Sequence, residues 1–316
     1  MTEFINQDGE SFGSLQALIQ NELNVLDDEN EQELDYAKWI VDNKDYYPAP
    51  TTKITDKLPN GVYKLIETRD DIKITPYEIN TDELYIFSED FTSQILDEVK
   101  SFWNKEETYK KYNITHKRGI LLCGPPGCGK TSIINLLIKQ ITTTDGLVFM
   151  VSNARDFQTL NATIKPIVRK IEPNRPIITI IEDINQLIEE MGGTDYQLLD
   201  FMDGKGSIDN HLIIMTTNDT SDLSEALLRP SRIDLTYEIP YPNDRIRKEF
   251  FEKKGIEEDK IIEYVKQTKN MTFAQLKEVF IGTKVLGKDL KKVIERINTP
   301  FESKDYLGKT KQIKGL

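Results

Sequence analysis

The sequence predicts an α/β fold: a parallel sheet covered by helices, followed by a small helical lid and preceded by an α+β region. Three observations carry that reading. Strand and helix signals alternate from Arg118 onward, the strands are unbroken apolar runs rich in β-branched residues, and apolar residues beyond Pro242 recur at helical spacing. Unbroken apolar strands are what burial on both faces of a parallel sheet demands. The implied divisions are residues 1–83, 84–241 and 242–316.

Taken in order, residues 61–66, 71–75 and 84–87 are short β-prone runs bounded by Pro59, Asn60, Pro76 and Asn80. The stretch 22–35 ahead of them holds seven acids with little apolar periodicity, and no chemistry is assigned to it. Phe91, Ile95, Val99 and Phe102 recur at helical spacing and predict an amphipathic helix. Strands are then expected at 119–123, 147–151, 177–181 and 211–217, with helices at 131–140 and 160–171. Ile261, Tyr264 and Val265, then Phe273, Leu276, Val279 and Phe280, mark the helical lid.

A chain of 316 residues has room for two or three folding units, and 38% apolar with 30% charged residues excludes fibrous, disulfide-rich and wholly disordered classes. No apolar run approaches the ~20 residues that span a bilayer. Residues 1–10 carry acids and no Lys or Arg, the wrong chemistry for a targeting signal, so a cytoplasmic address without membrane insertion is expected. Two cysteines, Cys123 and Cys128, and two histidines, His116 and His211, leave little material for a disulfide framework, a histidine metal site or a His triad. The net charge of -12 is uneven: residues 1–116 hold 11 basic and 25 acidic side chains, 117–252 hold 15 and 19, and 253–316 hold 15 and 9. That disfavours nucleic-acid binding by the first third and leaves it open at the basic C-terminal end.

Gly124-Pro125-Pro126-Gly127-Cys128-Gly129-Lys130-Thr131 matches G-x-x-x-x-G-K-[ST] and falls between a predicted strand and a predicted helix. Glycines let successive backbone N–H groups point at phosphate oxygens, and the helix that follows adds its positive end. Lys130 neutralises β- and γ-phosphates, Thr131 presents a hydroxyl to Mg²⁺, and Ser132 follows in the first turn. Cys128 is read as a small residue tolerated in the loop. The apolar run 177–181 ends in Glu182-Asp183, two carboxylates at the C-terminal edge of a buried strand, where open α/β sheets bind ligands.

Here the chain resembles the AAA family of P-loop ATPases, part of the AAA+ superfamily, whose strand usually ends in Asp then Glu. The reversed order is similar to the clade containing the mitochondrial translocase of the Rieske protein. The resemblance covers approximately residues 84–290 and continues through residues 213–218, similar to the family's sensor strand, and residues 226–234, similar to the stretch carrying arginine fingers. It implies a P-loop NTPase sheet core with a helical lid, Glu182 in the Mg²⁺ shell and Asp183 on the attacking water, with the assignment within that pair left open. It also implies Asn218 on the γ-phosphate or water, and Arg229 and Arg232 reaching into a neighbouring subunit. Ser231 stands where the family commonly has Gly. Residues 271–276 resemble the start of the lid helix, with Ala274 as the close-approach residue, and residues 153–159 fall where the family places a channel loop, with Phe157 as its aromatic.

The function implied is an Mg²⁺-dependent ATPase, forming a hexameric or similar homo-oligomeric ring, that remodels, unfolds or translocates a protein client chosen by the N-terminal region. The alternatives are a DNA-associated AAA+ loader or replication-linked motor, and an ATP-gated scaffold with slow hydrolysis.

Overall fold

The computed structural model describes residues 4–5, 11–12, 38–42, 44–49, 55, 57–68, 72–79, 91–141, 145–203, 208–299, 301–304 and 310–313. The expected strand at 84–87, the acidic stretch 22–35 and the division at 83/84 lie outside these residues. Strands are β1 (Phe4–Ile5), β2 (Ser11–Phe12), β3 (Lys38–Asp42), β4 (Asp45–Ala49), β5 (Gly61–Glu67), β6 (Ile72–Pro76), β7 (Lys117–Cys123), β8 (Leu147–Val151), β9 (Ile177–Ile181), β10 (His211–Thr217), β11 (Leu235–Glu238), β12 (Phe301–Lys304) and β13 (Thr310–Ile313). Nine of them form one sheet in the order β11-β7-β10-β9-β8-β5-β6-β4-β3. Pairings β11–β7, β8–β9 and β5–β8 are parallel, whereas β5–β6, β6–β4 and β4–β3 are antiparallel. Every residue of β8, β9 and β10 is buried, as unbroken apolar runs require. Among the described residues no helix is long and apolar enough to cross a membrane.

The chain divides into two compact units, residues 1–79, 114–119 and 138–214, and residues 80–113, 120–137 and 215–316. In the first, β1 and β2 pair antiparallel as a two-stranded sheet, whereas β3 to β6 join the nine-stranded sheet. Gly61, Val62 and Tyr63 pair with Leu147, Val148 and Phe149, so β5 adds to the edge of β8 and carries β6, β4 and β3 outward. A buried ion pair fastens this addition: Arg175 and Glu172 pair with side chains only 3% and 4% exposed. Arg175 also donates to Leu58 O at 2.5 Å and to Asn60 Oδ1 at 2.7 Å, and Glu172 accepts from Leu58 N at 3.0 Å. Two charges withdrawn from water persist only with such a full set of partners.

Three helices of this unit matter for the site: α4 (Ala154–Thr163), α6 (Ile184–Glu190) and α7 (Tyr196–Asp203). The expected helix at 160–171 begins earlier, because Asn153 caps α4 by accepting from Asp156 N at 2.9 Å. Its course changes at Pro166, which has no N–H to donate: Ile164–Val168 widens into a π-turn before the short α5 (Arg169–Ile171). Consequently the expected channel loop at 153–159 is helix. Phe157 is fully buried, edge-on to Phe201 with centroids 5.4 Å apart, so its ring is a core group in this chain rather than an exposed grip.

The second unit contains α1 (Phe91–Trp103), α2 (Glu106–Lys111), the start of α3 (Lys130–Ile141) and a C-terminal helical group. That group is α8 (Asp244–Lys253), α9 (Glu258–Gln267), α10 (Phe273–Phe280) and α11 (Leu290–Asn298), packed around Phe250, Phe251, Tyr264, Leu276, Val279 and Val293.

Replacing Phe157 with Ala should cost about 3–5 kcal/mol of stability; chemical denaturation measures it, and a change below about 1 kcal/mol would contradict burial. His211 supplies a pH test. Its Nε2 lies 2.9 Å from Thr179 Oγ1, its ring meets Phe201 edge-on at 5.5 Å, and burial, reinforced by the charges of Arg169 and Lys117, holds its pKa well below the usual value. The unfolded chain takes up that proton near pH ~6.5 while the native state refuses it, so His211 should erode stability as pH falls below about 6.5, by up to ~1.4 kcal/mol per pH unit. Denaturation of the wild type and of His211→Gln at pH values on either side of that window should differ in slope by this one proton.

Candidate functional site

The loop that closes β7 onto α3 is shaped by backbone that tolerates no side chain. A Cβ on Gly124 would sit 2.2 Å from Ile239 O, and one on Gly127, at φ +79°, would sit 2.9 Å from Ala274 Cβ and 3.1 Å from Thr272 Oγ1. Glycine is the residue that meets both conditions. The loop is held at both strand ends: Gly124 N donates to Thr217 O at 3.3 Å and Ile239 N donates to Cys123 O at 2.7 Å. Cys128 N turns back to Pro125 O at 3.3 Å.

Lys130, only 9% exposed, is the centre of this arrangement. Its ammonium donates to Gly124 O at 2.5 Å, Pro125 O at 3.1 Å and Asn218 Oδ1 at 2.8 Å. All three of these acceptors are neutral oxygens. The structure therefore brings Lys130 and Asn218 together, 88 residues apart in the chain. Pro126 and Gly127 are exposed at the loop tip, and Thr131 and Ser132 are exposed in the first turn of α3. Burial pushes the Cys128 thiol up against the opposing influence of Lys130, which keeps it protonated and unreactive, in keeping with a small packing residue.

The lid helix starts on the loop. Ala274 N donates to Gly127 O at 3.3 Å, so the expected close approach is present. Two neighbours of Ala274 belong to the same contact and were not anticipated. Thr272 caps α10 in a reciprocal box, its hydroxyl accepting from Gln275 N at 3.3 Å while Gln275 Oε1 accepts from Thr272 N at 2.9 Å. A side chain on Gly129 would meet the Phe273 ring at 3.4 Å. The Thr-x-x-Gln spacing is itself a capping signal readable in the sequence.

At the end of β9, Glu182 N donates to Val151 O at 3.3 Å, and both Glu182 and Asp183 are half-buried. Asp183 adopts a left-handed backbone at φ +52° and caps α6, its carboxylate accepting from Gln186 N at 3.4 Å. Asp tolerates that conformation better than most residues, and such strain gathers at functional sites. Arg229 is exposed. Arg232 is half-buried and donates to Ala226 O at 2.6 Å. Ser231 keeps the left-handed geometry that glycine favours, φ +76°, with its N–H donating to Asp234 Oδ1 at 2.9 Å.

Comparison with known proteins gives these features a context. Residues 120–241 match the family model described as "ATPase family associated with various cellular activities (AAA)". The chain is 31% identical over 225 residues to a proteasome-activating nucleotidase of Saccharolobus islandicus, covering 61% of this chain and 56% of that protein. It is 28% identical over 232 residues to the proteasome-activating nucleotidase of Sulfurisphaera tokodaii, covering 67% and 58%. It is 31% identical over 157 residues to the mitochondrial chaperone BCS1 of Danio rerio, covering 45% and 36%. The chain thus spans little more than half the length of the nucleotidases it matches. The family match takes in the glycine loop, Lys130, the Glu182-Asp183 pair, Asn218, Arg229 and Arg232. Over residues 120–241 this chain is similar to the ATPase domains of the AAA family.

Proposed function

We propose that this chain binds ATP with Mg²⁺ on the loop from Gly124 to Thr131, hydrolyses it between subunits of a homo-oligomeric ring, and uses the cycle to unfold or remodel a protein. The observation that carries the proposal is Lys130: a buried ammonium that donates to two backbone carbonyls and an amide oxygen can exchange those neutral acceptors for the β- and γ-phosphates, since bonds between charged partners are about twice as strong. The helix N-terminus at Lys130 adds a positive field. Engagement of Lys130 by phosphate frees Asn218 Oδ1, whose amide then turns to the γ-phosphate or to water.

Among the described residues no cluster of three or more His, Cys, Asp or Glu could hold a metal by itself. A Mg²⁺ ion shared with a nucleotide keeps several waters and takes few protein ligands. Thr131 and Glu182 would hold it, and it would neutralise charge on the phosphate oxygens. Asp183 is assigned to orienting or deprotonating the water. Arg229, exposed, is assigned as the primary finger toward a neighbouring subunit, with Arg232 tethered behind it by Ala226 O.

The reading of the client as protein draws on the relatives, one named for activating a proteasome and one named a chaperone. The acidic first third, 11 basic against 25 acidic side chains, counts against a nucleic-acid partner there.

Steady-state hydrolysis tests the proposal. Asp183→Asn and Arg229→Ala should each lower turnover, the arginine variant on the order of 10³-fold. Mixing the two should restore part of the rate, because some interfaces then join an intact site to an intact finger. Absence of recovery would remove the finger in trans, and negligible wild-type turnover would leave an ATP-gated scaffold.

A further inference from the structure

The C-terminal helical group carries a groove remote in sequence from the glycine loop. It is lined by α8 and α9, encloses about 560 Å³, and includes Ile261, Val265 and Ile262, the last 78% exposed. Five cations line it, Arg245, Arg247, Lys248, Lys266 and Lys269, against one carboxylate, Asp244. That carboxylate is already engaged, accepting from Arg247 Nη2 at 2.7 Å. Arg247 is 3% exposed, also donates to Pro242 O and Val265 O, and retains an Nε with no hydrogen-bond partner among the described residues. Lys248 has Glu252 at 3.5 Å, whereas Lys266 and Lys269 make no ion pair among the described residues. Clustered like charges around low-dielectric walls create a potential that favours an anionic ligand.

The apolar lining decides which anion. None of the lining residues is aromatic, so a nucleic-acid base has no ring to stack on, and a phosphate backbone makes no use of exposed Ile262. An acidic peptide with spaced aliphatic residues uses both the charge and the aliphatic surface. This chain contains such a segment: residues 22–35 hold seven acids, no Lys or Arg, and Leu23, Val25, Leu26 and Leu34. We propose that the groove between α8 and α9 receives the acidic stretch 22–35 of a second copy of this chain. The inference rests on charge and shape alone, so it stands or falls independently of the ATPase reading.

The test is zero-length carbodiimide cross-linking of the full chain, using a mixture of isotope-labelled and unlabelled protein, read by mass spectrometry. Amide links between Lys266 or Lys269 of one isotope and acids within 27–35 of the other are expected. They should fall about tenfold or more in Arg245→Glu/Lys248→Glu and fall also in Ile262→Ser, variants that keep both reacting lysines. These side chains are exposed, so unchanged thermal melting of the variants shows that the fold is intact. Links confined to a single isotope, absence of links at either lysine, or wild-type binding of a DNA oligonucleotide that the double variant loses would each overturn the proposal.

Discussion

A buried ammonium must be paired, and the site is organised around meeting that demand for Lys130. To reach it, the carbonyls of Gly124 and Pro125 turn inward, which requires the chain to double back immediately after β7. Asn218 must stand where β10 ends, and the Gly124 N–H to Thr217 O bond brings the two strand ends into register for it. One charge thus constrains the loop, Asn218 and two strand ends together. The same charge is what a polyphosphate recognises, so the fold's internal requirement and the proposed ligand's requirement coincide.

The lid is tied to this loop through an absence of atoms. Gly127 leaves room for Ala274 and Thr272, and the Ala274 N–H to Gly127 O bond joins the first turn of α10 to the loop tip. Movement of the loop around phosphate would therefore be felt directly at the start of the lid helix, and the capping box of Thr272 and Gln275 keeps that first turn stiff enough to pass the movement on. This is a physical route from nucleotide to lid that needs no long relay.

Much of this was legible in the sequence because its signals are local. The glycine loop and the strands at 147–151, 177–181 and 211–217 follow from short patterns whose physics acts within a few residues, whereas the Asn218 and Ala274 positions follow from the family resemblance. Phe157 was misread because its aromatic character and family position outweighed a local cue: Asn153 with Asp156 three residues later is an N-cap, and Phe157, Leu160 and Ile164 share one helical face, all fully buried. The partner of β5 was not readable at all. Gly61 pairs with Leu147 through contacts distant in the chain, and no local pattern specifies which edge an added strand joins. Arg175 and Glu172 look like surface charges until Leu58 and Asn60 are seen to close over them.

The central claim is that Lys130 exchanges loop carbonyls for phosphate. Calorimetric titration of Mg-ATP into the wild type and into Lys130→Met, a variant of similar length without the charge, tests it most directly. The expected result is a folded variant whose affinity for ATP falls at least tenfold, about 1.4 kcal/mol or more. Equal affinity in the two proteins would contradict it.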